Sequence, residues 1–128
     1  LSNFLIKKYK IKSKFILGHS DISPDRKIDP GEKFPWKYLA KKKIGIWQEL
    51  DHKKIKKEKM KRIGQLDKKN FIKYLYKIGY SKNFKISKTR YAKILTVAFQ
   101  RRFRQELING IIDKECLLIS QNLIKKFN

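Results

Sequence analysis

The chain has 128 residues, of which 34 are lysine or arginine and 11 are aspartate or glutamate, so its formal net charge is +23. A chain of this length forms one ordinary domain or two small ones, which excludes a large multidomain enzyme. Hydrophobic residues make up 41% of the sequence, too many for a wholly disordered basic tail. The single cysteine, Cys116, excludes an intrachain disulfide and a cysteine-rich zinc site.

The positive charge comes mostly from lysine, with 28 lysines against 6 arginines. Such an excess indicates an anionic partner, which is nucleic acid, an anionic membrane surface or an acidic polymer. Base edges and phosphates are recognised more often by arginine than by lysine, so no specific nucleic-acid partner is expected. No apolar stretch approaches the roughly 18 residues that cross a membrane, so no transmembrane segment is predicted.

The first fifty residues predict two helices and two short strands. Residues 1–10 place their apolar side chains roughly on one helical face, and the apolar run at 14–18 predicts a buried strand. Residues 19–34 have no periodicity and contain two prolines, so they predict a long loop. Pro35 suits the first turn of a second helix, and residues 44–50 predict a short terminal strand.

A lysine-rich segment at residues 51–66 separates this part from three predicted helices. The segment has few apolar residues and no helical stripe, which predicts a linker or a solvated helix. Beyond it, apolar residues recur every three or four positions in three stretches: one contains Phe71, one follows a cap at Ser87, and one follows a cap at Asp113. Residues 67–128 therefore predict a small all-α three-helix bundle.

The predicted loop carries the residues with the most chemistry. His19 and Asp29 lie ten residues apart, and a loop that folds back presents both side chains to one point. Imidazole nitrogen and carboxylate oxygen suit zinc, and the ammonium of Lys27 suits an oxyanion formed when metal-activated water attacks a carbonyl. A catalytic zinc ordinarily has three protein ligands, and a lone histidine beside a serine and an aspartate more often forms a hydrogen-bonded loop cluster than a metal site, so the spacing alone favours such a cluster. His52 is predicted to be solvated.

One string in this loop closely resembles the C-terminal metal-binding segment of the zinc-dependent N-acetylmuramoyl-L-alanine amidases of the amidase type 2 family. It reads Gly-His-Ser-Asp-Ile-Ser-Pro-Asp-Arg-Lys-Ile-Asp-Pro-Gly-Glu-Lys-Phe-Pro-Trp at residues 18–36. The resemblance implies that His19 and Asp29 are two of three zinc ligands. It also implies that Lys27 stabilises the transition-state oxyanion and that Asp21 orients the ligands.

The same resemblance exposes a deficit in the catalytic set. The first zinc-ligand histidine of the family and its acidic catalytic residue both precede the matching segment, and no residue here stands in either context. The chain also begins with Leu1 rather than Met. We therefore expect an incomplete protein, in which residues 1–50 are the C-terminal part of a mixed-sheet α/β amidase domain.

The second half of the chain resembles the three-helix peptidoglycan-binding domain that is attached to many cell-wall hydrolases. The matching strings are Leu75-Tyr-Lys-Ile-Gly-Tyr80, Ala98-Phe-Gln-Arg-Arg-Phe103 and Asn109-Gly-Ile-Ile-Asp-Lys-Glu-Cys-Leu117. The expected organisation is thus an amidase part at 1–50, a basic linker at 51–66 and a wall-binding domain at 67–128.

The leading functional hypothesis is a peptidoglycan hydrolase. Zinc would be the cofactor, peptidoglycan or muropeptides the partners, and the amide between N-acetylmuramic acid and L-alanine of the stem peptide the bond that is cleaved. The expected location is the bacterial periplasm or cell envelope. The alternatives are a non-catalytic cell-wall-binding protein or inactive gene fragment, and a basic nucleic-acid binder, which accounts for the charge but leaves residues 18–36 unexplained.

Overall fold

The computed structural model describes residues 1–127, and within them the chain forms α-helices and 3₁₀ turns and no β-strand. Four short helices occupy the first half and three longer ones the second. In chain order these are α1 (Ser2–Tyr9), α2 (His19–Ile22), α3 (Trp36–Lys41), α4 (His52–Lys56), α5 (Gln65–Ile78), α6 (Lys88–Phe103) and α7 (Lys114–Ile124). The 3₁₀ turns are Ser13–Phe15 and Lys125–Phe127. Over the same residues, no helix is both long enough and apolar enough to cross a bilayer.

The predicted α/β class, with a mixed sheet in residues 1–50, is wrong for this structure. The apolar run at 14–18 is partly a 3₁₀ turn, and Ile16, although extended, has its carbonyl oxygen 3.3 Å from a guanidinium nitrogen of Arg102. The second predicted strand, at 44–50, receives a side-chain partner as well, because the Glu49 backbone N–H donates to the Asn122 amide oxygen over 2.8 Å. A strand exists only where a neighbouring strand pairs with it, and these two segments bond to side chains instead.

The helices predicted in the second half are present. The Ser87 hydroxyl accepts a hydrogen bond from the Arg90 backbone at the start of α6, and the Asp113 carboxylate does the same for Cys116 at the start of α7. Gly79 follows α5 with a φ of 126°, which favours glycine. The three helices share a core whose fully buried members include Phe71, Leu75, Leu95, Phe99, Cys116 and Leu123.

This core also takes in residues from the first half of the chain and from the lysine-rich segment. Ile46 and Ile55 are buried in it, at 5% and 6% exposure. The backbone N–H of Met60 donates to the Asp113 carboxylate over 3.0 Å, and that of Lys114 donates to the Lys61 carbonyl over 2.9 Å. The lysine-rich segment therefore lies against the start of α7. The division into parts at 1–50, 51–66 and 67–128 stays a prediction.

Candidate functional site

The loop between α2 and α3 is closed by a single backbone hydrogen bond near its base. Gly18 is extended, with φ −88° and ψ 165°, and the chain turns into α2 at His19. The N–H of Ser20 donates to the carbonyl of Asp29 over 3.0 Å. Inside the loop, the Ser23 carbonyl accepts hydrogen bonds from two later backbone N–H groups, over 3.1 and 2.9 Å. This folding returns residue 29 to the side of residue 19.

The structure brings His19 and Asp29 together. Their Nδ1 and Oδ2 atoms lie 2.6 Å apart, a hydrogen bond in which a protonated Nδ1 donates. Both side chains face solvent, with 71% and 58% of their surfaces exposed. The hydrogen bond from His19 lowers the pKa of Asp29 below its usual 3.8, and the charges of His19 and Lys27 act in the same direction. The carboxylate is thus held in the ionised form that binds metals.

The imidazole nitrogen of His19 and the carboxylate oxygen of Asp29 are suitable zinc ligands, but a catalytic zinc site ordinarily has three protein ligands and these are two. Nitrogen and oxygen ligands on a tetrahedral zinc lie about 3.3 Å apart, which exposed side chains reach from 2.6 Å by small rotations. Within residues 1–127 no third His, Cys, Asp or Glu joins them to form a metal-binding group. His19 and Asp29 can therefore contribute two ligands and no more.

Lys27 is exposed in the same loop, two residues before Asp29. Its backbone N–H donates to the Ser23 carbonyl over 2.9 Å, which sets the position of its Cα relative to α2. Its ammonium is close enough to contribute to the lowered pKa of Asp29. A mobile positive charge beside the donor pair is available to an anion that binds there.

A buried ion pair lies beneath the loop. Asp21 on α2 and Arg102 on α6 are 1% and 3% exposed, and a guanidinium nitrogen of Arg102 donates to Oδ2 of Asp21. The same carboxylate oxygen accepts a hydrogen bond from the backbone N–H of Gly18 over 2.9 Å. Arg102 also donates to the Ile16 carbonyl over 3.3 Å. The backbone on both sides of residue 17 is therefore tied to α6, immediately before His19.

Trp36 forms the other support of the loop, at the start of α3. It is 5% exposed, and the guanidinium of Arg102 stacks over its ring at 4.0 Å from the centroid. Two glycines allow the close approach. A Cβ on Gly18 would lie 2.7 Å from Pro30 and 3.3 Å from Trp36, and a Cβ on Gly45 would lie 3.1 Å from Trp36. The aromatic-Pro-Trp sequence thus closes the loop by packing.

Sequence reasoning missed the supporting role of Arg102 and placed Asp21 only as an orienting residue. A signal was available, because Arg102 lies three and four residues after Phe99 and Ala98 on the apolar face of its helix, where a charge requires a partner. It also missed Tyr80, whose hydroxyl is buried beside the ion pair. Burial, followed by the negative charge of Asp21, raises the pKa of Tyr80 well above its usual value.

His52 lies apart from this loop, as expected for a solvated residue. It is 55% exposed, and its Nε2 is 3.8 Å from the carboxylate of Glu106. Cys116, the single cysteine, is fully buried in the helical core and not at the candidate site.

Two amidases are similar to the chain in sequence. N-acetylmuramoyl-L-alanine amidase AmiD of Escherichia coli is 31% identical over 127 residues, which are 99% of this chain and 46% of that protein. The 1,6-anhydro-N-acetylmuramyl-L-alanine amidase AmpD of Haemophilus influenzae is 55% identical over 42 residues, 31% of this chain and 23% of that protein. No protein-family profile matches the chain.

Solved structures extend this similarity to the fold. E. coli AmiD in complex with anhydro-N-acetylmuramic acid-L-Ala-D-gamma-Glu-L-Lys aligns with a TM-score of 0.78 at 32% identity, covering 97% of this chain and 48% of that one. AmpDh3 of Pseudomonas aeruginosa in complex with anhydromuramic pentapeptide aligns with a TM-score of 0.77 at 27% identity, covering 98% and 49%. The chain therefore spans about half the length of the relatives it matches. Its sequence relatives are amidases, as the resemblance of residues 18–36 implied.

Proposed function

We propose that the chain contributes part of the active site of a zinc-dependent N-acetylmuramoyl-L-alanine amidase. The reaction is hydrolysis of the amide between N-acetylmuramic acid and L-alanine of the stem peptide. One observation carries the proposal: His19 Nδ1 and Asp29 Oδ2 lie 2.6 Å apart in a buttressed loop, in a chain that aligns over nearly its whole length with an amidase.

In this proposal His19 and Asp29 hold the zinc ion. A third ligand comes from outside residues 1–127, in which no group of three possible ligands is found. Zinc bound there would supply Lewis acidity toward the amide carbonyl and toward a water molecule. The site's own contribution is to keep the imidazole and the carboxylate side by side, with the carboxylate ionised. The hydrogen bond between Ser20 and Asp29 maintains that arrangement.

Lys27 has a separate role in the proposal. When the amide carbon becomes tetrahedral, its oxygen gains negative charge, and an ammonium held near that oxygen stabilises the transition state more than the substrate. Removing one donor of this kind typically costs about 100- to 1,000-fold in turnover. Lys27 is exposed beside the donor pair, so its side chain can reach a bound substrate without rearrangement of the loop.

We assign the substrate to the muropeptide class and the protein to the bacterial periplasm or cell envelope. Two of the structural relatives hold anhydro-muramyl peptides, which supports a substrate of this class. The three helices at 67–128 would then act as a peptidoglycan-binding part. Their sequence strings support that role, and the Arg102–Asp21 ion pair would join it to the catalytic loop.

The site assignment is tested with variants of the complete protein. His19→Ala and Asp29→Ala should each lower bound zinc and abolish release of stem peptide from muropeptide. Lys27→Ala should keep its zinc and lose about 100-fold or more in turnover. The matched controls are His52→Ala and Lys33→Ala, which replace the other histidine and another exposed lysine, and both should behave as wild type. Normal zinc content and turnover in His19→Ala and Asp29→Ala would reject the assignment.

A second candidate function is a cell-wall-binding protein without hydrolytic activity. It is favoured by one observation, namely that residues 1–127 bring together two metal-ligand side chains and not three. Cosedimentation with purified sacculi, combined with a turnover assay on the same preparation, separates the two candidates. Binding without hydrolysis by the complete, zinc-loaded protein would support the second candidate over the first.

A further inference from the structure

A wide groove lies on the surface between the 3₁₀ turn at Ser13–Phe15, α3 and residues 43–50, which follow α3. Its volume is about 840 Å³. The Ser13 hydroxyl donates to the Lys43 carbonyl over 2.7 Å, which ties two of its walls together. Six lysines line it, from three separate parts of the chain: Lys12, Lys14, Lys37, Lys41, Lys43 and Lys126.

The groove carries a large excess of positive charge. Among the residues that the structure describes, the one carboxylate in its lining belongs to Glu49, whose Oε1 accepts a hydrogen bond from the Lys126 ammonium over 2.7 Å. Within residues 1–127, none of the other five lysines forms a salt bridge. Like charges that converge on a concave surface raise the local potential and concentrate anions there.

The floor of the groove is apolar and fixed in place. Ile46 is buried, and the Trp47 ring packs against the Phe103 ring with 5.6 Å between their centroids. The Glu49 backbone is hydrogen bonded to the Asn122 side chain on α7. The lysines therefore stand around a preformed cleft, and a ligand does not have to order the backbone that carries them.

We propose that this groove binds the carboxylate-bearing stem peptides of peptidoglycan. The inference rests on the proposed function, which supplies the polymer. The described part of the lining contains lysine and no arginine. A lysine ammonium is a mobile point charge without the planar guanidinium that binds phosphates in a fixed geometry. It suits flexible peptides whose carboxylates have no regular spacing. The apolar floor suits their alanyl and aliphatic parts.

A charge-reversal experiment tests the location. Lys12→Glu combined with Lys41→Glu changes two exposed lysines of the groove, and Lys53→Glu combined with Lys54→Glu makes the same change in net charge on α4, outside it. The measurement is the affinity of the complete protein for purified sacculi at physiological salt. We expect the groove pair to weaken binding about tenfold or more and the α4 pair by about twofold or less. Equal losses of affinity in the two double variants would mean that binding depends on the net charge of the protein and not on the groove. That result would overturn the proposal.

A second arm tests the chemistry of the ligand. In this arm the peptide carboxylates of the sacculi are converted to neutral methylamides. The wild-type protein should bind these sacculi as weakly as the groove pair binds native sacculi. Unchanged binding to the methylamide sacculi would overturn the proposal. The proposal would also be overturned if the protein bound duplex DNA more tightly than sacculi and the groove pair weakened that binding. The groove would then be a nucleic-acid site.

Failure here is distinguishable from failure of the proposed function. The groove pair should hydrolyse a soluble muropeptide at the wild-type rate and keep its zinc, since none of its residues is in the candidate site. His19→Ala should show the reverse, with turnover lost and sacculus binding retained. Loss of soluble-substrate turnover in the groove pair would contradict a separate binding groove.

Discussion

Arg102 and Asp21 form a buried ion pair between two residues that are 81 positions apart in sequence. Their side chains are 3% and 1% exposed. Asp21 lies two residues after His19, and Arg102 lies near the end of α6, so the pair joins the candidate site to the helical core. The site's geometry consequently depends on residues that resemble a wall-binding part.

Replacing Arg102 with methionine should strongly destabilise the fold. The substitution keeps much of the side-chain volume and leaves the Asp21 carboxylate buried without its counter-charge. Breaking one partner of a buried pair typically costs about 3–5 kcal/mol. The measurement is the free energy of unfolding from urea titration at neutral pH, and the matched control is Arg90→Met, an exposed position on the same helix, which should change it by about 0.5 kcal/mol or less.

A double variant separates the ion pair from the loss of side-chain packing on Trp36. Asp21→Asn in the Arg102→Met background removes the stranded charge and retains a side-chain oxygen for the Gly18 N–H. The double variant should therefore lose less unfolding free energy than the two single variants lose in sum, by about 1 kcal/mol or more. Strict additivity would mean that Arg102 acts through packing alone.

Gly18→Ala should open the candidate site, because its Cβ would lie 2.7 Å from Pro30. The φ of Gly18 is −88°, so the cost is steric and comes from pushing the two ends of the loop apart. We expect a loss of about 1–3 kcal/mol in unfolding free energy, with loss of the hydrogen bond between His19 and Asp29 in NMR spectra. Gly64→Ala is the control, since a Cβ there meets nothing within 4 Å. Equal stability of the two variants would contradict the close approach at Gly18.

Sequence reasoning predicted the pairing of His19 with Asp29 but not the support beneath it. The pairing is a local property, since both residues belong to one loop and the string around them resembles a known metal-binding segment. The partner of Asp21 is a tertiary property. A buried charge on α6 shows that some carboxylate must face it, but the choice among the acidic residues of the chain depends on how the helices pack.

The same distinction explains which elements could be predicted. Helices α5, α6 and α7 carry their own signals, namely apolar spacing and the caps at Ser87 and Asp113, and they form as expected. The predicted strands at 14–18 and 44–50 rest on apolar runs alone. A strand depends on hydrogen bonds to a neighbour that the run does not encode. The carbonyl oxygen of Ile16 accepts its hydrogen bond from Arg102, and the Ile16 N–H donates to the Ser13 carbonyl.

Asp113→Asn should remove an acid-sensitive part of the stability. Burial raises the pKa of this carboxyl, but hydrogen bonds from Arg104, Cys116 and Met60 outweigh burial and hold the pKa below its usual 3.8. Because the pKa is lower in the folded state, the wild type has this contribution in full well above pH 4 and loses it as the pH falls through the folded value. The asparagine side chain of the variant can still cap α7, but it removes the charge that pairs with Arg104, whose remaining ion-pair partner is the Glu115 carboxylate 3.7 Å away.

The measurement is the urea midpoint of both proteins at pH 7 and pH 3. We expect the Asp113→Asn variant to be less stable by about 3 kcal/mol at pH 7, and the difference to narrow at pH 3. Asp51→Asn is the control because it changes an N-cap aspartate that is exposed. It should move the midpoint little at either pH. A difference that stays constant between pH 7 and pH 3 would show that the charge of Asp113 is not what stabilises the fold.

Cys116 provides a chemical readout of these stability changes. Burial raises the pKa of its thiol from 9.0 to about 12, and its side chain is 0% exposed. At pH 8 a thiol of that pKa is ionised in about one molecule in ten thousand, so a disulfide reagent should modify the native chain only when the core opens.

Because Arg102→Met breaks the buried ion pair, it should lower the free energy of opening the core by about 3 kcal/mol and accelerate labelling by about 100-fold, and Arg90→Met should not. Labelling of the native chain as fast as in concentrated urea would mean that the packing of α7 against the core does not bury Cys116. Equal rates in the two arginine variants would mean that the Arg102–Asp21 pair does not hold the core closed.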